Sequence, residues 1–452
     1  MTDIIHDLYQ QQAYPAMSHP LADPAVSAVA AKMGGLEVPP PRGARMLEIG
    51  CGSGHHLIPL AMRWPKSRMV GIDLAGRAID EARRRAKLAG VRNVEFHAVD
   101  LREFKPKGGP FDFIMAHGFF SWVPDEVKAA LLRFCRQHLS RSGIATISFN
   151  LACGWKPRLP VIAKVRAIQQ ARGGDEVGAL EILKSLMAVG DPEIAIIDDM
   201  LAKGAVILGF DDFGPVNDPW ALDDFARAAS DAGLRWLGES DPGGNIPSSL
   251  SKEFFDDLRR KIPDPLGLQL ALDEAAGRTF RSGVLARDDA PVAEQVSQGR
   301  LMDLAVRVGP PSSDPTVDEL YRAIQAFAPS CVPVGEVLKL LTDRELPSVA
   351  MQVFQGINEN WIRPRIQPVE FDPAPPDFPK LNPFRLLCAR ENLPLVDIWH
   401  QPCGFPEAHY QVLAAMDGRM GRAELAVFSA RHCPELAFEP WLRHLAGRGM
   451  FA

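Results

Sequence analysis

The stretch Met46-Leu47-Glu48-Ile49-Gly50-Cys51-Gly52-Ser53-Gly54 constrains the fold more than any other part of the chain. An apolar strand runs straight into three glycines at alternate positions. Glycine lets such a turn take positive φ and brings backbone to within contact distance of a ligand, and the helix that follows offers free N–H groups to an anion. Glu48 adds a negative charge that a phosphate-binding turn would not want. The G-x-G-x-G spacing, followed by His55-His56, departs from the G-x-G-x-x-G of nicotinamide and flavin sites, and the lysine required by a nucleoside triphosphatase is missing. Adjacent residues on a helix point about 100° apart, so His55 and His56 are poorly placed to share a metal and read as loop or helix-surface histidines.

The loop opens a series of β-then-α units. Arg68 to Asp73 reads as a second short strand ending in an acid, about twenty residues past the loop, where a ribose-binding carboxylate belongs. A helix from Ala75 to Gly90 follows, then a third strand from Asn93 to Val99 closed by Asp100-Leu101. Phe111 to Ala116 is a fourth strand delivering His117 and Gly118, a helix spans about Pro124 to Ser140, and Gly143 to Asn150 is a fifth strand. The whole arrangement resembles the cofactor domain of class I S-adenosylmethionine (SAM) methyltransferases. That resemblance implies an α/β, Rossmann-like, seven-stranded sheet. It places Glu48, Gly50, Cys51, Gly52 and Gly54 around the cofactor, Asp73 and Leu74 at its ribose, Asp100 and Leu101 about its adenine, and His117 near its methyl. S-adenosylhomocysteine would be the product.

Composition sets the outer limits. A chain of 452 residues has room for two or three domains, and its formal charge of −6 gives no general pull toward nucleic acid or an anionic membrane. The seven cysteines are odd in number and include no C-x-x-C pair, which points to a reducing compartment and away from structural zinc. With no signal-peptide pattern and no apolar run of about eighteen residues, the expectation is a cytoplasmic protein.

Four regions are expected. Residues 1–41 form an N-terminal lid segment with Tyr9, Tyr14 and His19, of which Tyr14 and His19 either contact the amino-acid end of the cofactor or belong to a surface arm. Residues 42–155 form the cofactor-binding core. Residues 156–290 hold helical insertions, a regulatory domain and the closing strands, read at Leu234 to Gly238 and Thr279 to Ala286. From 291 to 452 the chain changes to helices separated by proline-bearing loops, in units of about Val317 to Arg365 and Phe384 to Ala452. Modules of winged-helix type would suit. No concentrated Lys/Arg face marks them, so they are expected to dock protein or to dimerise rather than to read DNA, to fold independently of the cofactor, and to govern the choice of acceptor.

His117-Gly118-Phe119-Phe120-Ser121-Trp122-Val123-Pro124-Asp125-Glu126-Val127 resembles the signature of bacterial SAM-dependent methyltransferases with a methyltransferase regulatory domain, a group that includes protein-lysine methyltransferases. Val216-Asn217-Asp218-Pro219 is similar to the start of the regulatory domain and Arg278-Thr279-Phe280-Arg281 to its closing strand. Relatives show Y-N-x-Y-P-G-W after the fifth strand, whereas Phe149-Asn150-Leu151-Ala152-Cys153-Gly154-Trp155 keeps Asn150, Gly154 and Trp155 but lacks both tyrosines. The resemblance implies methyl transfer to an amine, most directly a protein lysine. Phe120, Trp122, Asn150 and Trp155 are then expected along the acceptor channel, with His117 either the proton acceptor or a structural residue at the strand end. A small-molecule acceptor, or a silent SAM-binding scaffold, remains open. The absence of an Asn/Asp-Pro-Pro-Tyr/Phe stretch or a Pro-Cys pair after the fourth strand disfavours base methylation.

Overall fold

The computed structural model describes residues 14–247, 249–293, 299–311, 318–341 and 346–452. The start of the lid segment, with Tyr9, lies outside the described residues. Strands β1 (Arg45–Ile49), β2 (Arg68–Asp73), β3 (Val94–Ala98), β4 (Phe111–Ala116), β5 (Leu139–Asn150), β6 (Leu234–Glu239) and β7 (Phe280–Arg287) form one seven-stranded sheet in the order β3-β2-β1-β4-β5-β7-β6. The first five strands are parallel, and β7 runs antiparallel between β5 and β6. Strand order reverses direction between β1 and β4, which opens a crevice at the carboxyl ends of both. β1 is buried over nearly its whole length, as a central parallel strand covered on both faces must be.

The closing strands are locked by one arginine. Arg281 on β7 is fully buried and pairs with Asp273 at 2.7 Å and Glu239 at 3.0 Å, tying β6 and the helix Pro265–Ala276 to the sheet. On the sheet face carrying the helices Asp125–His138 and Leu222–Asp231, Phe120, Phe149 and Phe225 form a continuous aromatic core. The insertion after β5 is a separate packed unit of the helices Arg158–Arg172, Glu176–Ser185, Glu193–Ala202 and Ala205–Asp211, with Val161, Leu180, Ile197 and Leu208 inside.

Past the core, β8 (Ala305–Val308), β9 (Val332–Pro333) and β10 (Ile362–Arg365) form a three-stranded antiparallel sheet in the order β10-β8-β9, backed by helices that include Asp318–Gln325 and Leu346–Asn358. The expected winged-helix-like unit therefore begins earlier than Val317, and it contains a sheet that its short strands, two to four residues long, kept out of the periodicity. The C-terminal region does not pack as a separate unit. Phe384, Cys388, Leu395 and Val396 share one core with Leu57, Ile58 and Ala82 of the cofactor-loop region. Glu391 bridges Arg84 and Arg85 across that seam. The helix Pro24–Met33 joins the same assembly, with Val29 inside the core of the winged-helix-like unit.

Asp23 sits where these parts meet. It caps the Pro24–Met33 helix by accepting from Ala25 N–H, and it is fully buried between Arg63 at 2.7 Å and Arg365 at 2.5 Å. Burial by itself would raise its pKa, but Arg365 and Arg63 outweigh that and hold the carboxyl far below the usual range. One carboxylate thus joins the N-terminal helix, the helix after the glycine loop and β10.

Candidate functional site

The carboxyl ends of β1, β2, β4 and β5 converge around the glycine loop. Gly50, Gly52 and Gly54 all take positive φ, at 74°, 49° and 74°. Their roles differ. A Cβ on Gly54 would lie 2.8 Å from Phe96 and 3.1 Å from Ala82, so that glycine lets the loop pack on the adjacent helix and strand. A Cβ on Gly50 would meet the Phe119 ring at 2.9 Å, whereas one on Gly52 would meet nothing within 4 Å. Gly52 therefore faces open volume. Asp73 at the end of β2 accepts from Gly52 N–H and Ala75 N–H, both at 2.8 Å, and so fixes the loop from below. Burial raises its pKa, with those backbone N–H groups working in the opposite direction.

Glu48 is buried at the end of β1, and one of its carboxylate oxygens lacks a hydrogen-bond partner among the described residues. Burial, and secondarily the Asp73 charge, push its pKa well up. Cys51 is buried under the loop with its thiol pKa raised for the same reason. Asp100 is half-buried, and Arg102 takes its carboxylate at 2.6 Å and lowers its pKa. Leu101 is buried and Leu74 exposed.

His117 ends β4 and stacks on His19, ring centroids 4.2 Å apart. Both keep partial exposure, but the Nδ1 of His117 is buried without a partner among the described residues. Burial, followed by the neighbouring His19 and His56, holds His117 well below the ordinary histidine pKa, which makes it a neutral and weak base. Beneath this pair lie His56 and His400, fully buried, with Nδ1 of His56 and Nε2 of His400 at 2.8 Å. The backbone N–H of His19 also donates to Nδ1 of His56, at 3.1 Å. An amide N–H can only donate, so Nδ1 of His56 is unprotonated and Nε2 of His400 carries the proton between them. His55 bonds through Nε2 to Pro394 O at 2.8 Å. His55 and His56 do lie in the turn ahead of the helix Leu57–Arg63, as the loop reading has it, but neither is at the surface: both are buried against the C-terminal region, which sequence spacing over more than three hundred residues does not signal.

At the carboxyl ends of β4 and β5, where the acceptor is expected, the half-buried Trp122 meets the buried Trp155 edge to face at 6.3 Å. Asn150 at the end of β5 donates to Asn217 at 3.0 Å, and Trp155 donates to Thr279 O. Phe120 departs from expectation. It is fully buried and packs edge-on against Phe149, Trp220 and Phe225, so it is core and not channel wall. Phe119, lying against Gly50, takes the position nearer the loop. Gly154 has a direct steric cause, since a Cβ there would sit 2.4 Å from Arg278 O. Tyr14 packs its ring 5.3 Å from Phe210 in the helical insertion. Lys128, buried against Trp220, pairs with Asp218 and ties the helix Asp125–His138 to the segment after the insertion. The Asp218 N–H also donates to Ser121 O at 2.9 Å, so the segments around Ser121 and Asp218 are held together.

Residues 46–143 match the methyltransferase domain family, and residues 205–287 match the predicted methyltransferase regulatory domain. The regulatory match begins with the helix Ala205–Asp211, ahead of Val216. An uncharacterised protein of Rickettsia prowazekii is 35% identical over 311 residues, covering 65% of this chain and 55% of its own length. A second one from the same organism matches over 59% of its length, so the chain spans little more than half of these relatives. A trans-aconitate 2-methyltransferase of Azoarcus is 34% identical over 110 residues, 24% of this chain and 40% of its own. Among solved structures, PKMT2 from Rickettsia typhi, in complex with AdoHcy, superposes with a TM-score of 0.80 over 96% of both chains at 17% identity.

Proposed function

Because the chain belongs to the class I SAM-dependent methyltransferases that carry a methyltransferase regulatory domain, we propose that it moves a methyl group from SAM to an amine, most directly a protein lysine side chain. The observation that carries the reading is the loop itself: Gly52 faces open volume while Asp73 fixes the loop from beneath. The residues present fit SAM. Glu48 leaves a buried carboxylate oxygen unpartnered among the described residues beside a loop in which Gly52 leaves room for a ligand, and Asp73 stands at the strand end where ribose hydroxyls would be held.

When bound, SAM supplies a methyl on a sulfonium, already activated for displacement. What the protein adds is alignment and exclusion of water. Trp122 puts a half-buried ring at the carboxyl ends of β4 and β5, backed edge to face by the buried Trp155, and Asn150 is held by Asn217. A lysine ammonium of pKa about 10.4 must lose a proton before its lone pair is available. With its pKa depressed, His117 is better suited to accept a hydrogen bond and orient the amine than to store that proton, which leaves for solvent. The same site with a carboxylate or hydroxyl acceptor is the second reading, favoured by the sequence likeness to the Azoarcus enzyme over the core.

Incubation with methyl-tritiated SAM and cell lysate, followed by separation of protein from small molecules, tests this. Label in protein that survives alkali and co-elutes with methyl-lysine after hydrolysis is expected. Label confined to small molecules would move the assignment to the second reading, and S-adenosylhomocysteine binding with no label anywhere would make the protein a scaffold.

A further inference from the structure

Two adjacent acids close the helix Ala205–Asp211, and their surroundings are opposite. Asp212 is buried and saturated, taking Arg158 at 3.0 Å and Lys203 at 2.6 Å. Asp211 is half-buried, and its carboxylate has no hydrogen bond or ion pair among the described residues. The nearest cations are already spoken for, since Arg158 also pairs with Asp199. Yet Asp211 is wired to the acceptor side of the sheet. Its carbonyl accepts from Asn217 Nδ2 at 3.1 Å, and Asn217 Oδ1 accepts from Asn150 at the end of β5 at 3.0 Å. Phe210, the preceding residue, is buried against Tyr14, and the Trp155 ring is taken by Lys203 at 5.2 Å and Arg158 at 5.3 Å. A half-buried carboxylate left open is what a primary ammonium pairs with.

We propose that Asp211 is the acceptor-binding carboxylate, taking the cationic amine of a lysine side chain and directing it toward the carboxyl ends of β4 and β5. This rests on the amine reading above. Asp212 serves the fold by neutralising Arg158 and Lys203, which leaves Asp211 as the charge available to the substrate. Burial, opposed by Lys203 and Arg158 and reinforced by Asp212, raises the Asp211 pKa to about 6, so that the site is anionic at neutral pH and loses its charge under mild acid.

Methyl transfer from tritiated SAM to poly-L-lysine tests the assignment. Asp211→Asn is expected to raise KM for poly-L-lysine by about tenfold or more, with kcat and S-adenosylhomocysteine affinity nearly unchanged. Asp211→Glu should restore most of the loss. In the wild type, kcat/KM should fall as pH drops through about 6, and that limb should vanish in Asp211→Asn. Unaltered S-adenosylhomocysteine affinity certifies that the variant is folded. Asp211→Asn with wild-type KM and an unchanged acid limb overturns the proposal and leaves the amine reading standing. A wild-type protein that labels carboxylate acceptors but not poly-L-lysine overturns the amine reading and this proposal with it.

Discussion

The three loop glycines separate by what a side chain would strike. Gly52→Arg places a long side chain in open volume and costs the fold little beyond a strained positive φ, so it should abolish S-adenosylhomocysteine binding while thermal unfolding changes modestly. Gly54→Ala strikes Phe96, Ala82 and Ile58 inside the core and should lower stability by about 1–3 kcal/mol. Asp73→Ala removes the acceptor for Gly52 N–H and should weaken S-adenosylhomocysteine by about 1–3 kcal/mol. Calorimetry and urea denaturation on the three variants check the pattern. Equal affinity for the ligand in Gly52→Arg and the wild type would remove the loop from the cofactor assignment.

Between elements, the decisive contacts are the buried histidines and Asp23. His56 and His400 are fully buried and held neutral, mainly by burial, with folded pKa values well below the ordinary 6.5. Below pH 6.5 the unfolded chain therefore binds protons that the folded chain does not. Stability should fall as the pH drops from 6.5, by about 1.4 kcal/mol per pH unit for each such histidine. A urea midpoint that stays flat from pH 7.5 to 5 would show that they are not buried neutral. Asp23 has the opposite origin: its folded pKa is depressed, so its contribution is complete above the ordinary carboxylate value of 3.8 and is lost as the pH falls below it. Asp23→Ala leaves Arg63 and Arg365 without a counter-charge and should cost about 3–5 kcal/mol at pH 7. A measured loss under about 1 kcal/mol would mean that the junction of the N-terminal helix and β10 is held by apolar packing instead.

At the scale of the whole molecule, the C-terminal region is a structural wall of the loop domain. Helix Pro383–Arg390 covers the helix Gly76–Leu88, and Phe384 meets the His55 ring at 5.2 Å. A protein truncated after Asp289 would expose Leu57, Ile58 and Ala82 in the core they share with Phe384, Cys388 and Leu395. It should be insoluble or bind S-adenosylhomocysteine far more weakly than the full chain. A soluble truncation with full affinity would restore the view of the C-terminal units as independent docking modules. The regulatory segment, by contrast, is inseparable for a topological reason: it contributes β6 and β7, so no cut between residues 205 and 287 leaves a closed sheet.

The first five strands, the glycine loop and Asp73 were legible in the sequence because each is encoded locally, while the count of seven strands came from the family resemblance. Strand hydrophobicity, a positive-φ turn and an acid at a strand end all lie within a few dozen residues of one another. The closing strands were legible for the same reason, at Leu234–Glu239 and Phe280–Arg287. What the sequence did not carry depends on pairs far apart in the chain. Phe120 and Phe119 are indistinguishable as letters, and only packing puts one in the core and the other against the loop. Asp211 and Asp212 are likewise adjacent and identical, and only the positions of Arg158 and Lys203 decide which is neutralised. His400 reaches His56, and Arg365 reaches Asp23, through contacts that leave no periodicity behind. Local propensity fixes the elements, whereas which charges are paired and which stay open is settled by the three-dimensional order in which those elements are buried together.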